Sequence, residues 1–194
     1  MTKELEAFYK DYLNANSWPQ RKDGVPLDLL DNLNQADKII AEKELIEHAD
    51  LKDSWPIIGL GYLKSTLSLD KLYNLLDKGS KHIKITIAHS IFLINNDSRM
   101  IEIVLKETER LNNQYEIIDI LYMLPDFKDS RVDKVLNDFR NHKEYLVAYN
   151  ATRALGLSTD KVVEKFRSMK ETKKESWIIR QIKKITTPNT RYSQ

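Results

Sequence analysis

The chain has 194 residues, of which 41% are hydrophobic and 31% are charged, and its net charge at pH 7 is +2. That composition is too apolar for a disordered chain, and the absence of cysteine excludes disulfides, thiolate metal sites and a cysteine nucleophile. No uncharged stretch approaches the roughly 20 residues of a membrane span, and the N-terminal sequence lacks the apolar core of a signal peptide. We therefore expect a soluble, cytoplasmic protein.

The first 25 residues are predicted to form a capping helix and a linker. A helix over about residues 2–15 would place its apolar side chains on one face: Leu5, Phe8, Tyr9, Tyr12 and Leu13. The stretch SWPQRKDGVP that follows contains two prolines and a glycine and is predicted to be a linker, with Trp18 packed against the next helices. Such a helix would cover the open end of a repeat array.

An apolar triplet then recurs every 30 or 31 residues, from about residue 26 to residue 186. Its last, or anchor, positions are Leu33, Leu63, Ile94, Leu124, Leu155 and Ile185; three residues earlier stand Leu30, Leu60, Ile91, Leu121, Thr152 and Ile182; six residues earlier stand Leu27, Ile57, Ala88, Ile118, Tyr149 and Ile179. Positions spaced in this way share one helix face, and a fixed period of 20–50 residues predicts stacked repeats. We therefore expect residues 26–186 to form one array in which the triplets are buried.

Other positions of the same repeat are predicted to face solvent. These include four residues that stand five before an anchor, namely Asp28, Asp119, Asn150 and Arg180. Residues 187–194 show no periodicity and are predicted to be a flexible C-terminal tail.

A second helix is expected in each repeat after a short polar turn. The turns KSTLS, NNDS, PDFKDS and GLST each end in Ser or Thr, which is predicted to cap the helix that follows. The second helices carry paired apolar positions: Leu72 and Leu76, Ile101 and Leu105, Val132 and Leu136, Val162 and Phe166.

Two segments resemble a known repeat family. YLVAYNATRALGLSTDKVVEKF, residues 145–166, and SWPIIGLGYLKSTLSLDKLYNLL, residues 54–76, are similar to HEAT repeats, in particular to the short HEAT-like repeats named after phycobilisome lyases. The resemblance implies an all-α, armadillo-like fold: a right-handed α-α solenoid of about five to six helix pairs with a capping N-terminal helix. It also implies that the second helices line a concave groove.

The candidate partner-binding residues follow from that implied groove. They are the non-core side chains Tyr73, Glu102, Glu109, Asp133, Asp138, Lys161, Lys165 and Arg167. Their mixed charge fits a protein surface better than a continuous phosphate backbone. An alternative patch on the convex side is Phe92 with Tyr122, although neighbouring helices often bury such residues against each other.

No motif in the sequence predicts catalysis. A phosphate-binding loop, a nucleophile elbow and a metal-spaced cluster are all missing, and no two of the four histidines stand three or four residues apart. His89 is interpreted as a surface or inter-repeat residue, and Trp55 and Trp177, both eight residues before an anchor, as packing residues. We predict neither enzymatic activity nor a cofactor.

Three functions remain open, with protein binding favoured. In the first, the chain is a non-catalytic scaffold that recognises a partner protein on its concave face, as some HEAT-like bacterial immunity or adaptor proteins do. In the second, the C-terminal third binds nucleic acid, as HEAT-like DNA glycosylases do, because residues 131–194 hold 15 Lys and Arg against 7 Asp and Glu. The third is a bilin-lyase-like enzyme, suggested by the family's name alone.

Overall fold

The computed structural model describes residues 1–171, and every regular element in that range is helical. This confirms the all-α prediction. The α-helices are α1 (Lys3–Ala7), α2 (Trp18–Arg21), α3 (Asp28–Asp31), α4 (Gln35–His48), α5 (Ser54–Tyr62), α6 (Leu69–Lys78), α7 (Lys81–Asn95), α8 (Arg99–Thr108), α9 (Gln114–Leu121), α10 (Ser130–Phe139), α11 (Tyr145–Ala154) and α12 (residues 160–171). The sixth triplet, Trp177, Arg180 and the predicted tail lie outside the described residues.

The N-terminal helix packs on the helices that follow it. It covers Lys3–Leu13, and its second half, Phe8–Leu13, is a π-helix. Phe8 and Tyr12 are buried, and the Tyr12 hydroxyl donates a hydrogen bond to the Trp55 carbonyl at 2.9 Å. The Tyr9 hydroxyl donates to Glu44 at 3.0 Å. These contacts with α4 and α5 place the segment over the first end of the chain's helical stack.

The linker is partly ordered by one arginine. Arg21, at the end of α2, donates two hydrogen bonds to the Asp53 carboxylate, one of them at 2.9 Å, and its guanidinium lies 4.2 Å from the Trp55 ring centroid. Trp18 is 76% exposed, so the expectation that it packs against the first repeat is wrong. Arg21, and not Trp18, lies over the Trp55 ring.

The triplet positions are buried or half-buried throughout the described residues. The middle positions are the most enclosed: Leu30, Leu60, Ile91 and Leu121 are fully buried and Thr152 is 1% exposed. Thr152 is tolerated there because its hydroxyl donates to the Ala148 carbonyl at 2.7 Å within the same helix. Leu63 and Leu155 are half-buried because they lie at the C-terminal caps of α5 and α11, where the packed helix face ends.

The surface predictions hold for two of the three described residues. Asp28 and Asp119 are exposed. Asn150 is half-buried, since its side chain accepts a hydrogen bond from the Tyr122 hydroxyl at 2.6 Å and donates to the Leu146 carbonyl at 2.7 Å. Its amide therefore connects two successive repeats.

The helices α5, α7, α9 and α11 pack in series, each on the next. Contacts join α5 to α7, α7 to α9 and α9 to α11, while α7 also contacts α6 and α8. The closest approach is at Gly61, where an added Cβ would lie 2.8 Å from Ser90 Oγ and 2.9 Å from Ser90 Cα. The Ser90 hydroxyl donates to the Ile57 carbonyl at 2.9 Å across the same contact. Gly61 thus permits backbone contact between α5 and α7.

Four of the turns between paired helices, those after α5, α7, α9 and α11, contain a residue with positive φ. These residues are Lys64, Asn96, Lys128 and Gly156. Ser98 stands at the N-cap of α8 but its side chain makes no capping hydrogen bond, and Ser130 lies inside α10, whose N-cap is Asp129. In both turns a carboxylate one residue before the serine accepts the hydrogen bond. Asp97 accepts from the Arg99 N–H at 3.1 Å, and Asp129 accepts from the Arg131 N–H at 2.9 Å.

Candidate protein-binding face

We use the name second-helix face for the predicted partner-binding side chains on α6, α8, α10 and α12. Its members are Tyr73 on α6, Glu102 on α8, Glu109 at the C-terminal cap of α8, Asp133 and Asp138 on α10, and Lys161, Lys165 and Arg167 on α12. All are exposed except Tyr73, which is half-buried. Some of these side chains form intramolecular hydrogen bonds or ion pairs, and the others are exposed without an ion pair.

Tyr73 belongs to a polar cluster that joins α6 to the start of α8. Its hydroxyl donates to Asp97 at 2.6 Å and accepts from the Asn95 amide at 3.2 Å. The Arg99 guanidinium donates to both Asp97 oxygens and lies 6.0 Å from the Tyr73 ring centroid. The hydrogen bonds from Arg99 hold the pKa of Asp97 well below its usual range. Partial desolvation raises that pKa, and the hydrogen bond from Tyr73 lowers it further. The Tyr73 hydroxyl is therefore occupied within the chain.

A second cluster of the same kind joins α8 to α10. Arg131 donates to Asp129 at 2.9 Å and also forms an ion pair with Glu102 across the two helices. Hydrogen bonds from Arg131 lower the pKa of Asp129. The signal that could have revealed both clusters is a repeated tripeptide, since Asp-Ser-Arg stands at residues 97–99 and again at 129–131. Sequence reasoning noted only the serines.

Three carboxylates on this face have no such partner. Glu109, Asp133 and Asp138 are exposed, and no described residue forms an ion pair with any of their side chains. Glu102 and Glu109 are seven residues apart and lie on the same side of α8. Asp133 and Asp138 are about 140° apart around α10, at about 100° per residue. Lys106 on α8 and Lys134 on α10 are also exposed and form no ion pair among the described residues. The middle of the face therefore exposes charge of both signs.

The three predicted partner-binding residues on α12 do not share one side of that helix. Lys161 and Lys165 are one turn apart and point in similar directions. Arg167 lies on another side, where it lines a groove with Tyr145 and Phe166 between α11 and α12. Lys161 and Lys165 thus continue the second-helix face as exposed cations, and the Lys165 ammonium lies 5.8 Å from the Phe166 ring centroid.

The two residues of the alternative convex patch, Phe92 and Tyr122, differ in exposure. Phe92 is half-buried and packs against Phe127, with ring centroids 4.7 Å apart. Tyr122 is 50% exposed, and its hydroxyl bonds to Asn150. The two rings therefore do not form one exposed aromatic strip, because Phe92 is used to join α7 to the turn after α9.

His89 is an inter-repeat residue, as predicted, and it has a charged partner. It is 7% exposed, and its Nε2 lies 2.8 Å from an Asp126 oxygen while its ring packs 5.6 Å from that of Phe127. Asp126 is half-exposed. No sequence signal linked these residues, which stand 37 positions apart.

Residues 1–171 contain no cluster of three His, Cys, Asp or Glu side chains suited to holding a metal ion. None of the helices in that range combines the length and apolar character needed to cross a lipid bilayer. Comparison of the chain with protein-family models, with curated proteins and with solved structures gave no match. Function is therefore inferred from the chemistry of the second-helix face.

Proposed function

We propose that this chain is a right-handed, HEAT-like α-solenoid that binds another protein on its second-helix face. The packing of α5, α7, α9 and α11 in series supports the repeat arrangement, because each first helix contacts the equivalent helix of the next repeat. Extended concave surfaces formed by such arrays suit the recognition of a partner protein. Adaptors and immunity-type proteins that block their target are the classes that this geometry fits.

The observation that carries the proposal is the pattern of free charge on that face. Glu109, Asp133 and Asp138 leave exposed carboxylates on α8 and α10 beside the exposed Lys106 and Lys134, and Lys161 with Lys165 adds exposed cations on α12. A partner that fits this face carries charge of both signs, with basic groups opposite the carboxylates and acidic groups opposite Lys161 and Lys165. Charges arranged in this way steer association and select against partners of the wrong polarity.

The internal clusters support the same role. The Asp97–Arg99 and Asp129–Arg131 pairs, with Tyr73 and Glu102, link consecutive second helices. A face that is already fixed loses less side-chain and backbone freedom when a partner binds. The exposed charges are therefore presented on a pre-organised surface.

The test begins with purification of a partner from the native host without crosslinker. Association is then measured by stopped flow for K161E/K165E and for E109K/D133K. With a partner of the proposed polarity, both double variants slow association severalfold at low salt. Both effects shrink at physiological ionic strength, because exposed charges are screened over about 8 Å there. The matched control is K10E/K22E, which makes the same charge change on the exposed N-terminal segment.

Three outcomes would contradict the proposal. One is the recovery of no stoichiometric protein partner. Another is equal association rates for K161E/K165E and the K10E/K22E control at low salt. The third is steeply salt-dependent binding of a labelled DNA duplex that K161E/K165E weakens, which would favour the nucleic-acid hypothesis instead.

A further inference from the structure

Helix α4 carries an exposed apolar stripe on the side that faces away from the core. Its inner side holds Ala41 and Leu45, which are fully buried. Ala36, Ile39 and Ile40 are exposed, and the centre of these three positions lies about 165° from that of the buried pair, at about 100° per residue. Ile39 is 61% exposed and Ile40 is 41% exposed. A helix that is apolar on two opposite sides is suited to packing on both of them.

A groove beside this stripe has room for a side chain from another molecule. It lies between α3, α4 and the C-terminal end of α5, with a volume of about 430 Å³ and an apolar lining of Ile39, Tyr62 and Leu63. Tyr62 is 39% exposed, and its hydroxyl donates to Asp31 at 2.6 Å, which fixes the ring at the wall of the groove. Because Ile39 belongs to both the stripe and the groove, the two form one surface. We use the name α4 patch for its apolar residues: Ala36, Ile39, Ile40, Tyr62 and Leu63.

Hydrogen bonds on two sides fix α4 beneath this patch. The Thr2 hydroxyl, at the start of the N-terminal helix, donates to Asp37 at 2.6 Å. At the other end of α4, the Lys71 ammonium on α6 donates to the carbonyls of Ile46 and Glu47. A surface that is already fixed loses little conformational freedom when another molecule binds to it.

The charges around the α4 patch are mainly negative. Residues 28–50 contain seven Asp and Glu against two Lys. Asp31, Glu42 and Lys38 line the groove, and none of them forms an ion pair among the described residues. The surplus of carboxylates disfavours an anionic lipid surface and a nucleic acid as the occupant. It favours a protein segment that carries Lys or Arg.

We propose that the α4 patch binds a basic, amphipathic helix of the partner protein. The stripe runs along one side of α4 at spacings of three and four residues, which is the surface on which a second helix packs. An aliphatic side chain of the partner fills the groove beside Ile39, and its basic side chains lie opposite Asp31 and Glu42.

This inference rests on the proposed protein binding and extends it to α4. Helix α4 follows the first apolar triplet, as α6, α8 and α10 follow the next three. Those three helices expose charge but no large apolar side chain. Protein interfaces combine an apolar core with a polar rim. The α4 patch supplies the apolar contact that the rest of this face lacks.

The first test uses a model peptide and needs no native partner. The probe is a fluorescein-labelled helix of Leu and Lys, about four turns long, with its leucines three and four residues apart. One control peptide replaces every Lys by Glu, and another has the same residues in scrambled order. Fluorescence anisotropy with the full-length protein should show at least tenfold tighter binding of the probe than of either control.

A matched pair of double variants locates the apolar contact. I39S/I40S should weaken binding of the probe at least tenfold. L67S/L157S removes two exposed leucines elsewhere in the chain and should leave that binding unchanged. Since all four side chains are exposed, both variants should keep the circular dichroism spectrum and melting temperature of the native chain, and the single variant I39S offers a milder form of the same test.

A second matched pair tests the carboxylates. Glu42 lines the groove, and Glu47, seven residues after Ile40, lies on the outer side of α4. E42Q/E47Q should weaken binding of the probe severalfold at low salt and less at physiological ionic strength. The control E164Q/E171Q removes the same charge from exposed positions on α12 and should have no effect.

Three results would overturn the proposal. One is equal binding of the probe to the native chain and to I39S/I40S, and another is binding of the Glu-containing peptide as tight as that of the probe. The third is a native dimer, detected by light scattering, that I39S/I40S dissociates, which would assign the patch to a second copy of this chain. Failure to recover a native partner would instead contradict the proposed function and leave the peptide result unchanged.

Discussion

The Gly61–Ser90 contact makes a sharp prediction about how α5 and α7 pack. In the G61A variant the new methyl group would lie 2.8–2.9 Å from Ser90 Oγ, Cα and Cβ. Since one of these atoms is backbone, a side-chain rotation cannot relieve the contact, and the two helices must move apart. That movement would also lengthen the 2.9 Å hydrogen bond from Ser90 to the Ile57 carbonyl.

The size of the effect follows from three contributions. Overpacking of a well-packed core costs about 1–3 kcal/mol, and weakening a buried hydrogen bond adds about 1 kcal/mol. Alanine is favoured over glycine inside a helix by about 1 kcal/mol, which offsets part of the loss. We therefore expect G61A to lower the free energy of unfolding by about 1–3 kcal/mol.

The assay is urea unfolding followed by circular dichroism, with the midpoint and slope determined separately. The control is G79A, because Gly79 has negative φ and its nearest neighbour, the Leu75 carbonyl oxygen, lies 3.3 Å from the added methyl group. G79A should change stability by much less than G61A. A G61A variant as stable as the native chain would refute the close approach of α5 and α7.

Three further predictions concern the core, the linker and the inter-repeat histidine. L121A removes a fully buried side chain and should cost about 2–5 kcal/mol by creating a cavity; an unchanged melting temperature would mean that the repeat register is wrong. Partial burial raises the pKa of Asp53, but hydrogen bonds from Arg21 and the Trp55 N–H outweigh that effect and leave the pKa below its ordinary value of 3.8. The ionised form therefore stabilises the fold above about pH 4, and the melting-temperature gap between the native chain and D53N should close as the pH falls below 4; a gap independent of pH would contradict this. D126A leaves the buried His89 without its carboxylate and should cost about 1–3 kcal/mol in a urea titration at neutral pH; no loss would mean that the pair contributes nothing.

The all-helical fold was predictable because one physical requirement repeats along the chain. Each first helix must bury the same face, and so Leu30, Leu60, Ile91 and Leu121 recur at nearly constant spacing. Helix ends were less predictable, since they depend on local hydrogen bonds. Asp97 and Asp129 cap their helices one residue before the expected serines because a carboxylate also pairs with the arginine two residues later.

The candidate face was predictable only in outline. Helical spacing identified exposed charges such as Glu109 and Lys161, because such residues seldom enter a core unpaired. It could not show that Tyr73 and Glu102 are held by residues 24 and 29 positions further on. Spacing also could not show that Phe92 is half-buried, because its burial depends on Phe127, 35 positions further along the chain.

The spacing of the links between repeats has a consequence for folding kinetics. The pairs Ile57–Ser90, His89–Asp126, Glu102–Arg131 and Tyr122–Asn150 span 33, 37, 29 and 28 residues. The entropic cost of closing such loops grows as the logarithm of their length, so the shortest and the longest differ by only about 0.2–0.3 kcal/mol. Loop length therefore does not decide where folding begins. We expect folding to begin where the most side chains are buried.

We expect folding to begin at α7. It contains eight buried residues and contacts helices on both sides of it along the chain. We expect substitutions in its core, such as I87V, to slow folding, with φ-values well above those at the buried positions of α1 or α11. Residues 1–171 would then fold outward from α7, and α1 and α11 would form late and open early.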